Sequence, residues 1–155
     1  MSTTPVNIHG TAIVIGTTGL LFVGPSGCGK SELAHACLSA APGRGLFGRL
    51  VADDQVFIEA RNGRIIARRP ASIAGLMEVR GTGIASLPSL PHARLHYAVR
   101  PGLLSEMERL PEPALHPLIP GASLPLLHLA REAPDVLAIL ARFIPFLDRN
   151  GCKQG

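Results

Sequence analysis

The sequence is short of aromatic side chains, which make up 4% of its 155 residues, whereas 46% are hydrophobic. We therefore expect a core of leucine, isoleucine, valine and alanine rather than stacked rings. Proteins that bind single-stranded nucleic acids stack the bases on aromatic side chains, so this scarcity argues against such a partner. The net charge of +4 arises from scattered basic residues, which are typical of a solvated face. We expect no nucleic-acid partner.

Cysteine is also rare. The three cysteines, Cys28, Cys37 and Cys152, have neither the paired spacing of a zinc site nor the even number of a disulfide framework. This favours a reducing, cytoplasmic location. The chain lacks a charged-then-apolar leader and any apolar run as long as a membrane span, so we expect no membrane partner. Its length suits one domain over residues 1–155.

What the sequence does contain is a glycine motif. Residues 24–31, GPSGCGKS, fit the pattern G-x-x-x-x-G-K-[ST] without a mismatch. An apolar run at 20–23 precedes the motif, and residues 32–38 suit a helix. These flanking elements favour nucleotide binding over a glycine-rich turn that matches by chance. The predicted nucleotide-binding residues are Gly24, Pro25, Ser26, Gly27, Cys28, Gly29, Lys30 and Ser31.

Each part of this motif has a physical role in binding phosphates. The glycines let several backbone N–H groups converge on one anion, and the following helix adds its positive N-terminal end. Lys30 supplies a charge for the outer phosphates, and Ser31 can bind a magnesium ion. A predicted hairpin of strands at 12–15 and 20–23 leads into the loop. In the most familiar nucleotide-binding folds a lone parallel strand precedes the phosphate-binding loop, so we expect this chain to have a less common relative of those folds.

The acidic pair Asp53-Asp54 follows a predicted strand at 49–52. Phosphoryl transfer needs a metal site and a group that accepts the hydroxyl proton, and two carboxylates at a strand end can supply both. Two surface acids that merely end a strand are the alternative. Glu78 and Arg80 lie in a glycine-containing loop with Gly81 and Gly83, which suits close approach to a ligand or a surface ion pair equally well.

Further elements complete the prediction. Asn62-Gly63 marks a tight hairpin turn between strands at 56–60 and 64–68. Downstream we predict a short helix at 71–76, a loop at 78–84, a strand at 95–99 and a long mobile surface loop at about 101–122. A strand at 123–129 should follow, which Pro125 confines to an edge or an end. The last predicted element is a C-terminal helix at about 135–147.

Four segments together resemble the signatures of the HPr kinase/phosphorylase family. They are IHGT at 8–11, GPSGCGKSE at 24–32, LVADD at 50–54 and EVRGTGI at 78–84. The resemblance implies an α/β P-loop kinase domain with a mixed sheet and flanking helices, similar to the nucleotide-binding part of phosphoenolpyruvate carboxykinase. It also implies an ATP- and Mg²⁺-dependent enzyme that phosphorylates a serine of HPr, a phosphocarrier protein, and can remove that phosphate by phosphorolysis. Family members are typically hexamers.

The resemblance also implies roles for particular residues. His9 matches the catalytic histidine, and Ser31 and Glu78 match the magnesium-binding positions. One residue of the acidic pair serves as the base; we favour Asp54 slightly, and the choice stays open. Arg109 is similar to the arginine of the family's mobile loop, which supplies positive charge to the transferred phosphate.

The chain also departs from the family pattern. Since the resemblance starts near residue 8, we expect no counterpart of the family's usual N-terminal domain. A basic PVRPGR-like stretch is reduced to PLLHLAR at 125–131, which keeps only Arg131. That stretch belongs to the dephosphorylation machinery, so kinase activity is the firmer expectation. Two alternatives stay open: a kinase of the same fold that acts on a small hydroxyl compound such as free serine or a sugar, and a nucleotide-binding regulator without catalysis.

Overall fold

The computed structural model describes residues 4–147, which form twelve strands and two α-helices. The α-helices are α1 (Lys30–Ala40) and α2 (Val136–Phe143). The strands are β1 (Val6–His9), β2 (Thr11–Ile15), β3 (Thr18–Phe22), β4 (Gly48–Ala52), β5 (Gln55–Arg61), β6 (Arg64–Arg68), β7 (Leu76–Val79), β8 (Gly83–Ser86), β9 (His92–Leu95), β10 (Tyr97–Gly102), β11 (Ala114–Ile119) and β12 (Ala122–Ala130). Cys152 lies outside the described residues.

The largest sheet has six strands in the order β11-β12-β10-β3-β2-β4. Strand β10 runs parallel to both β3 and β12, whereas the other pairs are antiparallel. The sheet is therefore mixed, as predicted. The β2–β3 hairpin that we predicted is present, and all ten of its strand residues are buried.

Burial on both sides explains why β2 and β3 read as continuous apolar runs. Side chains alternate along a strand, so Ile13 and Ile15 pack on one face of the sheet with α1 and α2, whereas Ala12 and Val14 pack on the other. That second face is covered by a four-stranded antiparallel sheet with the order β1-β5-β6-β9. Both α-helices therefore belong to one layer, and the small sheet forms the layer opposite.

The β5–β6 hairpin turns at Asn62 and Gly63, as predicted, and both residues have positive φ angles of 52° and 74°. The predicted helix at 71–76 is reduced to a 3-10 turn, Ala71–Ile73. Most of the predicted loop at 78–84 instead belongs to a hairpin, in which β7 pairs with β8. The glycines that suggested a loop supply the positive φ angles of its turn, at Gly81 and Gly83.

The predicted mobile loop at about 101–122 is wrong over its second half, because β11 lies within it and pairs with β12. The strand was not predicted because this segment is rich in proline. Pro117 is tolerated because β11 is the outer strand of the sheet and its register shifts between Pro117 and Ile119. Pro125 lies in β12, which is not an edge strand because β11 pairs with its outer side. The pairing of β12 with β10 begins only at Leu126, the residue after Pro125.

The C-terminal helix begins where the sequence predicted and ends earlier. The Asp135 side chain accepts a hydrogen bond from the Ala138 N–H at 3.0 Å and caps α2. The helix stops at Phe143 rather than near 147, because Pro145 disfavours helical geometry at Ile144, which is extended. In the part of the chain that the structure describes, neither α-helix is long and apolar enough to cross a membrane.

Candidate active site

The glycine loop, residues 24–29, connects the end of the buried β3 strand to α1. Gly24, Gly27 and Gly29 have φ angles of 135°, 81° and 104°, a region that side chains with a Cβ rarely enter. Within the described residues, the N–H groups of Gly27 and Gly29 have no hydrogen-bond partner. With the unpaired amides of the first turn of α1, they form a cradle of donors of the kind that binds anions.

Lys30 is the first residue of α1 and is buried, with 6% of its surface exposed. Its Nζ donates hydrogen bonds to the carbonyl oxygens of Gly24 at 2.9 Å and Pro25 at 3.0 Å. The ammonium group therefore lies inside the glycine loop and closes it. Its charge is not neutralised by a carboxylate within 4 Å in residues 4–147, so it remains to attract an anion.

Asp53 is the polar centre of the site. It is 6% exposed, and its Oδ1 accepts hydrogen bonds from Ser31 Oγ at 2.6 Å and Thr11 Oγ1 at 2.9 Å. Its Oδ2 accepts a third bond, from the Glu78 backbone N–H at 3.2 Å. One carboxylate thus joins the first turn of α1, the start of β2 and strand β7, which fixes the relative positions of these elements.

Asp54 has the opposite surroundings. It has a positive φ of 71°, unusual for a residue other than glycine, and its side chain is 66% exposed. The Gly10 N–H donates to the Asp54 carbonyl at 3.1 Å, and the Asp54 Oδ1 lies 3.2 Å from His9 Nε2. The turn therefore directs consecutive carboxylates differently: Asp53 into the protein and Asp54 towards solvent beside His9.

These groups line one cleft with a volume of about 270 Å³. The lining residues are His9, Thr11, Ser26, Gly27, Gly29, Lys30, Ser31, Glu32, Asp53, Asp54, Glu78 and Arg80. The structure thus brings together the glycine loop, the acidic pair and the Glu78–Arg80 end of the β7–β8 hairpin. Gly81 and Gly83 do not line this cleft; their positive φ angles shape the turn of that hairpin.

The residues at the base of the cleft fit a magnesium ion. Ser31 Oγ and Asp53 Oδ1 lie 2.6 Å apart, and Glu78 lines the same cleft. Magnesium is held by one or two carboxylates together with water and phosphate oxygens, rather than by a dedicated cage of protein ligands. Among the described residues, no group of three or more histidine, cysteine, aspartate or glutamate side chains could hold a metal.

Three residues differ from the sequence prediction. Arg109 is exposed in the segment between β10 and β11 and is not among the residues that line the cleft. Arg131, which the resemblance placed only within a stretch of the dephosphorylation machinery, reaches the glycine loop: its Nη1 donates to the Gly27 carbonyl at 3.1 Å. The sequence feature that could have indicated a role is that Arg131 is the one arginine kept in the 125–131 stretch. Thr11, the last residue of the IHGT segment, was also missed as a partner of Asp53.

The fold and the cleft define an α/β protein with a mixed sheet, a glycine loop at a helix N-terminus and an adjoining pair of aspartates. The particular family follows from comparison of the sequence. The chain belongs to the family described as HPr Serine kinase C-terminal domain, whose sequence model matches residues 2–90, more than half of the chain. The match contains the glycine loop, the acidic pair and Glu78, and it ends before Arg109 and Arg131.

Curated relatives agree with this assignment. The chain is 42% identical over 83 residues to the HPr kinase/phosphorylase of Clostridium tetani, across 54% of this chain and 25% of that protein. It is 40% identical over 83 residues to that of Clostridium beijerinckii, across 54% of this chain and 26% of that protein. The chain therefore spans about a quarter of the length of these relatives.

The fold is also found in a solved structure, the Hpr(Ser) kinase/phosphatase from Coxiella burnetii. The TM-score is 0.72, with 96% of this chain and 92% of that chain covered and 24% sequence identity. At this identity the likeness concerns the fold. It extends beyond the sequence match, since it includes most of residues 91–147.

Proposed function

We propose that the protein is an ATP- and Mg²⁺-dependent kinase that phosphorylates a serine of an HPr-type phosphocarrier protein. The observation that carries the proposal is the convergence on one cleft of the glycine loop with Lys30, the Ser31–Asp53 pair and the exposed Asp54 beside His9. The family and the names of the curated relatives support the choice of acceptor.

The nucleotide-binding half of the proposal depends on the glycine loop. The free amides of Gly27 and Gly29, the N-terminus of α1 and the Lys30 ammonium group offer a triphosphate positive potential from three directions. The loop follows a hairpin rather than a lone parallel strand. This supports the finer assignment to a P-loop domain of the phosphoenolpyruvate carboxykinase type.

Ser31, Asp53 and Glu78 are the residues that would hold magnesium. When bound, the ion would neutralise part of the charge on the phosphates. The 2.6 Å hydrogen bond from Ser31 to Asp53 keeps the serine hydroxyl at the end of the cleft where the first turn of α1 begins. Asp53 would therefore orient the Ser31 hydroxyl as a ligand of the ion, even if Asp53 itself contacted the ion only through water.

Asp54 is the better placed of the two aspartates to act as the base. Asp53 is buried and already accepts three hydrogen bonds, whereas Asp54 is exposed and has His9 as its neighbour. In the proposed step, Asp54 takes the proton of the acceptor hydroxyl, and the serine oxygen forms a bond to the γ-phosphorus of ATP. The bond to the bridging oxygen breaks and ADP leaves with that electron pair.

The family resemblance extends the proposal to features outside the cleft. Arg109, on the segment between β10 and β11, is proposed to bring positive charge to the phosphoryl group when that segment closes over the site. A hexamer and a cytoplasmic location belong to the same proposal. Phosphorolysis of the phosphorylated carrier is the second activity to be measured.

One experiment tests the proposal directly. The purified protein is incubated with ATP, Mg²⁺ and the HPr homologue of the same organism, and the phosphate is located by mass spectrometry. We expect one phosphorylated serine, and no transfer with the Lys30→Ala variant, whose folding is checked by a thermal melt. Arg64→Ala, an exposed change on the β5–β6 hairpin, is the matched control and should retain activity.

The alternatives give different results. ADP formation with serine or a sugar as acceptor, without transfer to the carrier, would indicate a small-molecule kinase. Tight ATP binding without turnover of any acceptor would indicate a nucleotide-binding regulator. The reverse activity is measured with the phosphorylated carrier and inorganic phosphate, by the formation of pyrophosphate.

A further inference from the structure

We propose that Arg131 is a positioning residue that holds the glycine loop in its nucleotide-binding conformation. The effect on nucleotide binding rests on the proposed function. The contact between Arg131 and the glycine loop is a property of the fold and does not depend on that function. Arg131 follows β12 directly and is 104 positions from Gly27, the loop residue that it contacts. It lies beyond residues 2–90, the part of the chain that matches the family model.

The Arg131 side chain is anchored at both ends. Its backbone N–H donates to the Gly102 carbonyl at 2.8 Å, which fixes the start of the side chain against the end of β10. Its Nη1 donates to the Gly27 carbonyl at 3.1 Å. The guanidinium group therefore links two neighbouring strand ends to the middle of the glycine loop.

The bond to Gly27 fixes one particular peptide unit. The N–H on the other side of that unit belongs to Cys28 and donates to the Pro25 carbonyl at 3.2 Å. With Arg131 in place, both the carbonyl and the N–H of the Gly27–Cys28 peptide have partners, so the unit cannot rotate without losing two hydrogen bonds. Its orientation in turn determines where the neighbouring free amides of Gly27 and Gly29 point.

A second contact is independent of this hydrogen bond. A Cβ added at Gly29 would lie 2.8 Å from Arg131 Nε, so the guanidinium group covers the space above this glycine. Gly29 has a φ of 104° and immediately precedes Lys30. Arg131 thus packs over one glycine of the loop and donates to another.

The charge of Arg131 suits the same role. In residues 4–147, no carboxylate lies within 4 Å of its guanidinium group, and one of its five donors is used on Gly27. The unpaired charge of the Arg131 guanidinium group beside the glycine loop favours the binding of an anion by the amides of that loop. Removal of the side chain would therefore both loosen the loop and lower the local positive potential.

The test uses Arg131→Ala, Arg131→Lys and Arg131→Gln in the full chain, with Arg64→Ala as the control. The first readout needs no nucleotide: the rate of iodoacetamide modification of Cys28, measured by peptide mass spectrometry. Cys28 lies between the two glycines that Arg131 contacts, and its Sγ packs against Gly24. We expect Arg131→Ala to raise this rate several-fold and Arg64→Ala to leave it unchanged.

The second readout is ATP binding by calorimetry together with the kinetic constants for ATP. We expect Arg131→Ala to weaken ATP binding about tenfold, the order expected for one hydrogen bond made by a charged group, and to raise KM for ATP more than it lowers kcat. Gln keeps a donor without the charge, so it should restore the protection of Cys28 but not full affinity. Lys keeps the charge and should restore part of the affinity.

Two results would overturn the inference: an unchanged Cys28 rate together with unchanged ATP binding in Arg131→Ala, or equal losses of Cys28 protection in Arg131→Ala and Arg64→Ala. If Arg131→Ala does not fold, the Gln and Lys variants decide by the same two readouts. Failure of the wild-type protein to bind ATP would refute the proposed function and leave the Cys28 measurement as the test of the contact.

Discussion

His9 Nε2 lies 3.2 Å from Asp54 Oδ1, although the two residues are 45 positions apart in the sequence. The contact results from the antiparallel pairing of β1 with β5, which places His9 opposite Gln55, the residue after Asp54. The left-handed backbone at Asp54 turns its side chain out of the core and towards the imidazole. A carboxylate and an imidazole thus face the cleft, Asp54 from the turn between β4 and β5 and His9 from the end of β1.

Asp54→Asn should abolish most of the phosphoryl transfer without affecting stability. The Asp54 side chain is exposed and its neighbour His9 is half-exposed, so the substitution should change Tm little. Loss of a general base typically lowers kcat by about 10²–10⁴-fold, and binding of ATP should be little changed. Steady-state assays with the carrier protein and a thermal melt measure both effects. A variant with full kcat would rule out Asp54 as the base.

Asp53→Asn, unlike Asp54→Asn, should lower the stability of the fold. The amide retains one oxygen, so it cannot accept all three bonds from Ser31, Thr11 and the Glu78 N–H. We expect a loss of about 2–3 kcal/mol in the free energy of unfolding, since buried donors are left without a charged acceptor. Denaturant unfolding measures this loss. Thr11→Val removes one of the donors and is expected to cost less; equal stability of Asp53→Asn and the wild type would contradict the central role of Asp53.

The sequence predicted the parts of the site that depend on local patterns. The hairpin, the glycine loop and the acidic pair are each contiguous, and the apolar runs beside them are long enough to identify. Strand β11 was missed because Pro117 interrupts the pattern, and only its position at the sheet edge makes this proline acceptable. The contact of Arg131 with Gly27 could not be predicted, because it requires the register of β12 against β10.

Cys28 and Cys37 should differ strongly in reactivity. Cys28 is partly exposed in the glycine loop, whereas Cys37 is fully buried in α1. Burial, with a further contribution from the charge of Asp135, raises the pKa of the Cys37 thiol to about 12. The reactive thiolate is therefore almost absent at Cys37 near neutral pH. We expect iodoacetamide to modify Cys28 and spare Cys37, and ATP with Mg²⁺ to slow the reaction at Cys28. Modification of Cys37 at a similar rate would show that α1 opens readily.

His96 makes the stability of the fold sensitive to mildly acidic pH. Its Nδ1 accepts a hydrogen bond from the Gly19 N–H at 2.9 Å, so the bond requires a neutral imidazole nitrogen. Burial, and then the charge of Arg94, lower the pKa of His96 below its ordinary value of 6.5. Because the folded-state pKa is the lower one, the stabilisation is present above pH 6.5 and is lost as the pH falls through the folded-state value.

We therefore expect the free energy of unfolding to fall by about 1 kcal/mol between pH 7.5 and pH 5, the order of one lost hydrogen bond. His96→Asn offers the Gly19 N–H an amide oxygen that does not titrate, so this variant should show a smaller slope over the same range. Part of the slope should remain in His96→Asn, because burial and the charge of Arg100 also lower the pKa of His116. Urea unfolding at several pH values measures the slopes. Equal slopes for the wild type and His96→Asn would show that the bond between His96 and Gly19 does not contribute to the pH dependence. A steeper fall in stability for His96→Asn than for the wild type would show that His96 is stabilised in its protonated form.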